Sequence, residues 1–182
     1  MKERMLAGDL YITDAEILGD QARSQDLMAA YNSTTARQVE LRSQLLGELV
    51  ASIGDETEIR PPFYVDYGTN ITIGARCFAN FGLTALDVAP ITIGDDVQIG
   101  PYVQLLTPTH PVEAGPRRDK WESAQPITIG DNVWLGGGVI VLAGVTIGAD
   151  TVVGAGSVVT RDLPTGALAV GSPARVVRTL EA

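Results

Sequence analysis

An aliphatic residue that returns at every sixth position restricts this chain's fold more than any other feature. From Ile129 the series runs Ile129, Leu135, Val141, Ile147, Val153, Val159. Ile129, Leu135, Ile147 and Val153 are each followed by Gly, and the fourth residue after each is small or β-branched (Val133, Val139, Thr151, Ser157). The same beat appears earlier in Ile73-Gly74, Ile93-Gly94 and Ile99-Gly100 with Leu105 following, and weaker echoes at Ile53-Gly54, Ile59 and Val65 place its start near residue 53. Neither a period of 2 nor one of 3.6 fits a six-residue beat. Short strands, each ended by a turn, do fit. At about 3.3 Å per residue a five-residue strand spans about 16 Å, and three such strands with their turns close one triangular coil. The aliphatic residue points inward, and the Gly after it either relieves crowding or takes unusual turn dihedrals. Stacked coils pair as parallel strands around a continuous aliphatic column, as solenoids do. A flat sheet would show alternation and longer turns instead. With only ten aromatic residues in 182, the core has to be built from small and branched aliphatics. The expected fold is mainly β: a single-stranded parallel β-helix over residues 53–182.

The beat lapses once. After Leu105 it returns only at Ile129, and the stretch Thr107 to Pro126 holds Pro108, Pro111, Pro116 and Pro126 with the cluster Arg117-Arg118-Asp119-Lys120. That composition does not continue a strand. It reads as a loop, 107–126, thrown out of the coil, and loops of this length in compact domains are usually functional or disordered. Residues 1–52 read as a helical cap. Asp14 to Tyr31 forms an amphipathic helix ended by Asn32-Ser33, and Thr35 is placed to cap a second helix carrying Val39, Leu45, Leu46, Leu49 and Val50. Two such helices would cover the open end of the first coil. At the far end Asp162-Leu163-Pro164 and Gly171-Ser172-Pro173-Ala174-Arg175 end the coil, and a strand or helix over Val176 to Leu180 closes it.

Charge excludes one class of partner. The net charge of -9 argues against nucleic acid, which needs a basic surface. The C-terminal stretch from Ala155 is the one net-positive part, with Arg161, Arg175 and Arg178 against Asp162 and Glu181, so an anionic ligand would be sought there. Cys77 stands alone, which leaves no intramolecular disulfide and implies no oxidising compartment. The N-terminal residues lack a signal-peptide apolar stretch. The uncharged run Val133 to Ala149 contains five glycines and is short for a membrane span, so the expected location is the cytoplasm, with no membrane partner.

His110 is the only histidine. It sits at the root of the excursion, in Thr107-Pro108-Thr109-His110-Pro111, between two prolines that stiffen its backbone. A lone histidine is more often structural, but one in a rigid turn at the single large interruption of a repeat suits proton transfer near neutral pH. A catalytic zinc site needs about three protein ligands, and one His with one distant Cys does not supply them, so no metal is expected. Gly136-Gly137-Gly138 lies inside the repeat and reads as structural; Cys77 falls on the beat and reads as a small core residue; Asp95-Asp96 reads as a solvated turn.

The hexapeptides, the Thr-His-Pro loop and the closing Gly-Ser-Pro-Ala-Arg, together with Ala7-Gly8-Asp9-Leu10-Tyr11, Asp66-Tyr67-Gly68, Phe78-Ala79-Asn80-Phe81 and Leu86-Asp87-Val88, resemble the hexapeptide-repeat sugar O-acetyltransferases. That group includes the maltose, galactoside and nodulation acetyltransferases. The resemblance spans nearly the whole chain. It implies a left-handed β-helix, a homotrimer with active sites in the clefts between subunits, and acetyl-CoA as cosubstrate lying along the helix. It implies His110 as the catalytic histidine and Asn80 as an asparagine lining the acceptor site. Asp66 and Asp87 match or adjoin acceptor-contacting positions, as does Asp14. Trp134, Gly137, Ala155, Thr160, Arg161, Arg175 and Arg178 match coenzyme-binding positions. Some relatives carry Ser at the place of Gly137, which here leaves a backbone contact, and some carry Lys at the place of Arg161, which keeps the charge.

The expected activity is transfer of acetyl to a sugar hydroxyl, of maltose, glucose or galactoside type. His110 takes the hydroxyl proton, and Asn80 positions the acceptor. A hexapeptide acyltransferase with a non-sugar acceptor, such as an antibiotic alcohol or serine, and a non-catalytic β-helical scaffold remain open on the sequence.

Overall fold

The computed structural model describes residues 1–180. Three parallel sheets wrap around one core, and each pass of the chain adds a strand to each face. The first coil is Ser52–Ile53, Glu58–Ile59 and Phe63–Val65; the second is Ile71–Ile73, Phe78–Ala79 and Leu83–Leu86; the third is Ile91–Ile93, Gln98–Ile99 and Gln104–Leu106. The fourth is Ile127–Ile129, Trp134–Leu135 and Ile140–Leu142, and the fifth is Thr146–Ile147, Val152–Val153 and Val158–Val159. A sixth turn is partial. Leu163 bridges to Ile147 in parallel, and Ala167–Gly171 extends the second face before Ala174–Thr179 folds back antiparallel on it. This is the parallel β-helix that the repeat demands, and the last strand starts at Ala174, two residues before the Val176 to Leu180 segment expected to close the coil.

Every residue of the beat from Ile129 to Val159 is buried, as are Val133, Val139, Thr151 and Ser157 four places after it and Cys77 at the same point of an earlier coil. The Gly that follows the beat residue is there for clearance. A Cβ on Gly136 would come 2.5 Å from the Ala155 backbone nitrogen of the next coil, and one on Gly74 would come 2.5 Å from the Gly94 carbonyl oxygen. The left-handed turn dihedral falls two residues later, on Arg76 (φ 57°), Asp96 (φ 59°), Asn132 (φ 54°) and Asp150 (φ 59°) where the first face turns into the second, and on Gly138 (φ 68°) where the second turns into the third. Asn and Asp tolerate that region better than most residues. Asp95-Asp96 is more than a solvated turn. Both carboxylates pair with Arg76 of the preceding coil, at 3.3 and 2.7 Å, and Asp95 Oδ1 also accepts from Ala75 N. Stacking brings these corners one above another, a proximity that the linear sequence hides.

Among the described residues four helices lie outside the coils: α1 (Lys2–Leu6), α2 (Ala15–Asn32), α3 (Val39–Leu49) and α4 (Ala114–Arg118). Asp14 caps α2 by accepting from Ile17 N at 3.1 Å. Thr35 does not cap α3. Its backbone N–H and hydroxyl donate to Gln38 Oε1 in a turn, and the helix starts at Val39. Tyr31, Leu46, Leu49 and Val50 are buried with Ile59, Phe63 and Val65 of the first coil, closing its open end. Val39 lies exposed, outside that contact. None of the helices among the described residues is long and apolar enough to cross a membrane.

Candidate active site

Coil length locates the site. On the first face Thr128 pairs with Thr146, 18 residues on, which is three hexapeptides. Thr72 pairs with Thr92, 20 residues on, and Thr92 with Thr128, 36 on. The additional residues all enter at one corner, where the third face turns into the first. They fall within Asp66 to Asn70 in the first coil, Asp87 to Pro90 in the second, and the excursion 107–126 in the third. The three enlarged corners stack on one edge of the prism and brace one another. Asp87, fully buried, accepts backbone N–H groups from Asp66 (3.1 Å), Tyr67 (2.8 Å) and Asn70 (3.1 Å). Thr107 Oγ1 donates to Leu86 O and accepts from Ala89 N.

The excursion is a folded hairpin. Pro108–Thr109 pairs antiparallel with Ser123–Ala124 in the register Pro108↔Ala124 and Thr109↔Ser123, and α4 occupies its far end. His110 follows the first strand and is exposed. Glu122 precedes the second strand, joined to Tyr11 by Tyr11 N→Glu122 O and Glu122 N→Tyr11 O, both 2.9 Å, and by Tyr11 OH→Glu122 Oε2 at 3.1 Å.

This edge is acidic and partly dry. Burial, with the nearby Asp87 and Glu122, pushes Asp66 up to about 6. Burial also raises Asp87, although the backbone N–H groups that bond it act in the opposite direction. Tyr11 and Tyr67 are raised, by burial first and then by neighbouring carboxylates, so their hydroxyls stay protonated donors. Glu122 and Tyr67 escape a reading of spacing, because only the folded hairpin and the stacked corners carry them to the edge that holds His110.

The residues expected at the site divide between two edges. Asp66, Asp87 and His110 lie on the enlarged edge, and Thr160 and Arg161 follow the fifth coil's third-face strand onto the same edge. Asn80, Gly137 and Ala155 lie on the other edge of that face, where the second face turns into the third. Trp134, 55% exposed, stands on the second face, which the closing strand with Arg175 and Arg178 extends. Asn80 Oδ1 accepts Phe81 N at 2.8 Å, which leaves its Nδ2 as the outward donor. Asp14 lies in the cap, where it pairs with the Met1 amino group at 3.1 Å besides capping α2. Within one chain the third face, about 16 Å across for five residues at 3.3 Å each, separates His110 from Asn80.

That face is largely apolar on its outside. Tyr64, Leu86, Leu106, Ile140, Leu142 and Val158 point outward there, with Thr84 and Gln104 the polar members, against Thr72, Thr92, Thr128 and Thr146 on the first face. None of the ion pairs among the described residues uses Arg161, Arg175 or Arg178, and all three are exposed. This fits a phosphate-bearing ligand. No group of three or more His, Cys, Asp or Glu is gathered as metal ligands among the described residues.

Comparison with known proteins adds names to this geometry. Residues 4–54 match the maltose acetyltransferase hexapeptide capping motif and residues 126–161 the bacterial transferase hexapeptide (six repeats). The chain is 49% identical over 176 residues to nodulation protein L of Rhizobium meliloti (strain 1021), covering 96% of each chain. It is 42% identical over 181 residues to galactoside O-acetyltransferase of Escherichia coli (strain K12), covering 99% of this chain and 89% of that one. The solved structure of a galactoside acetyltransferase in complex with coenzyme A superposes with a TM-score of 0.96 at 41% identity, covering 100% of this chain and 91% of that one.

Proposed function

We propose that this chain, which belongs to the hexapeptide-repeat O-acetyltransferase family of the maltose and galactoside type, transfers an acetyl group from acetyl-CoA to a sugar hydroxyl, with His110 as general base. The observation that carries this reading is the placement of the only histidine on a folded hairpin at the edge where three successive coils are enlarged. A galactoside acetyltransferase with this fold has been solved with coenzyme A bound, which supports the choice of acetyl donor.

The chain works as a homotrimer in this reading. His110 and Asn80 lie on opposite edges of one face, and a second copy packed against that apolar face brings one edge of each chain to a shared cleft. Burying Tyr64, Leu106, Ile140, Leu142 and Val158 between copies supplies the apolar area that such an interface needs. Trp134, Gly137 and Ala155 line the coenzyme's path on one subunit, and Arg175 and Arg178 offer charge to its phosphates. Thr160 and Arg161 come from the other edge.

In the reaction, the imidazole of His110 takes the proton of the sugar hydroxyl as its oxygen attacks the thioester carbonyl carbon. The tetrahedral intermediate carries its negative charge on the former carbonyl oxygen. As it collapses the carbon–sulfur bond breaks, and the imidazolium returns the proton to the leaving thiolate. The products are the sugar ester and free coenzyme A. Asn80 Nδ2 positions the acceptor, and Asp66, Asp87 and Asp14 shape the acceptor end of the cleft. Base catalysis of this kind is worth about 10²–10⁴-fold, and alignment of two bound substrates supplies much of the remainder.

The test is thiol release from acetyl-CoA across maltose, glucose, galactosides and chitin-like oligosaccharides, with His110→Ala alongside. Release with a sugar, reduced by about 10²–10⁴-fold in the variant, is the expected result. A variant that keeps near-full activity overturns the assignment of the base.

A further inference from the structure

The hairpin that carries His110 is rooted on the coil through Thr107 and fastened beyond that to the N-terminal segment. Its ladder ends at Thr109↔Ser123, and one step further the register sets His110 opposite Glu122. Thr107 and Gln125 form a hydrogen-bonded pair, with Gln125 N donating to Thr107 O. In an antiparallel ladder such pairs alternate with non-bonded ones. The Glu122 backbone therefore points away from His110, and it is there that Tyr11 meets it, N–H to carbonyl in both directions at 2.9 Å. The Tyr11 hydroxyl adds a bond to the Glu122 carboxylate at 3.1 Å.

Two further contacts run between the same segments. The Arg4 guanidinium lies over the Trp121 ring, 5.7 Å from its centre, next to Glu122 in sequence. Ala124 of the hairpin is buried in a small apolar cluster, separate from the core of the coils, with Met5, Tyr11, Ile17, Tyr67, Val88 and Ala89.

We propose that residues 4–11 form a clamp on the His110 hairpin, with Tyr11 as a positioning residue that holds Glu122, and through the hairpin His110, in register for the reaction. The role rests on the reading of His110 as general base. The N-terminal segment is then part of the catalytic apparatus besides sitting beside the cap that closes the first coil. Tyr11 touches neither substrate in this scheme. Its effect passes through the cross-strand position of Glu122, and a small displacement of a reacting group costs up to about 10²-fold in rate.

The experiment compares wild type with Tyr11→Phe and Arg4→Ala, reading kcat, KM for acetyl-CoA, Tm and amide hydrogen exchange across residues 107–126. Tyr11→Phe keeps the ring in its cluster and the main-chain bridge, and removes only the bond to the carboxylate. It is expected to lower kcat about tenfold, within the range that misplacement allows, leave KM for acetyl-CoA unchanged, and speed exchange in the hairpin. Arg4→Ala never touches the Glu122 carboxylate. A weaker change in the same direction from it separates a clamp from a direct part for that carboxylate. Unchanged kcat and hairpin exchange in Tyr11→Phe overturn the proposal, as does a lowered Tm with kcat unchanged well below it. Should wild type release no thiol with any acceptor, the acetyl-transfer reading fails, while hairpin exchange still decides whether the clamp exists.

Discussion

Asp66 and Asp87 lie in stacked corners, yet the fold uses them differently. Asp87 is buried and bonded by three backbone N–H groups, so its carboxylate serves as the linchpin of the first enlarged corner. Asp66 is partly open and holds its proton up to about 6 because of burial and the neighbouring Asp87 and Glu122. In an unfolded chain it would release that proton near 3.9. Between these values the folded state binds the extra proton, so stability falls as pH rises from about 4 to about 6 and is level above. Asp66→Asn should remove this contribution. The Tm of the variant relative to wild type is expected to rise between pH 4 and 6 and then stay constant. A difference independent of pH would show that Asp66 ionises normally. The sequence marked Asp66 and Asp87 as acceptor-side positions by resemblance. It had no means of separating a structural carboxylate from an open one, because the difference lies in which N–H groups the neighbouring coil presents.

Among the elements, the repeat reads directly because each hexapeptide puts one side chain into the column. On the first face and in the later coils of the second, the following Gly clears the next coil and the residue two places after it takes the left-handed turn. Gly136→Ala places a methyl group against the backbone of Ala155 and should cost about 1–3 kcal/mol, as overpacking does. Gly47→Ala, in α3 with nothing within 4 Å of the new Cβ, should gain up to about 1 kcal/mol from helix propensity. Chemical denaturation of both variants at one protein concentration tests the pair, and equal effects would refute the clearance account. The excursion was legible as an interruption because its prolines and charges break the beat. Its hairpin was not, since a two-residue ladder carries no periodicity and is held by Tyr11, 111 residues from Glu122. Thr35 illustrates the same limit at shorter range. A capping residue type was present, but Gln38 captured its hydroxyl and backbone N–H.

For the whole molecule, the third face carries the proposed contact between copies. Its outward residues are mostly apolar, with Thr84 and Gln104 the polar members, where those of the first face are threonines, and it separates His110 from Asn80. Leu142, 37% exposed at the end of the fourth coil's third strand, is a direct probe. In the proposed trimer Leu142→Glu would put a charge between copies, so the variant should run as a monomer in light scattering and lose thiol release with the circular dichroism spectrum kept. A monomeric variant with full activity would mean that one chain holds a complete site.

The six-residue beat, the break after Leu105 and the position of the one histidine are local patterns, and the sequence alone determined from them the coil, the excursion and the candidate base. Each of those follows from what a residue does to its immediate neighbours along the chain. Which corners stack, which carboxylate is buried, how Tyr11 reaches Glu122 and on which edge each candidate site residue falls were decided only by tertiary structure. The reason is physical: successive coils set side by side residues 18, 20 or 36 apart in sequence, and burial, hydrogen bonding and proton affinity are set by those neighbours.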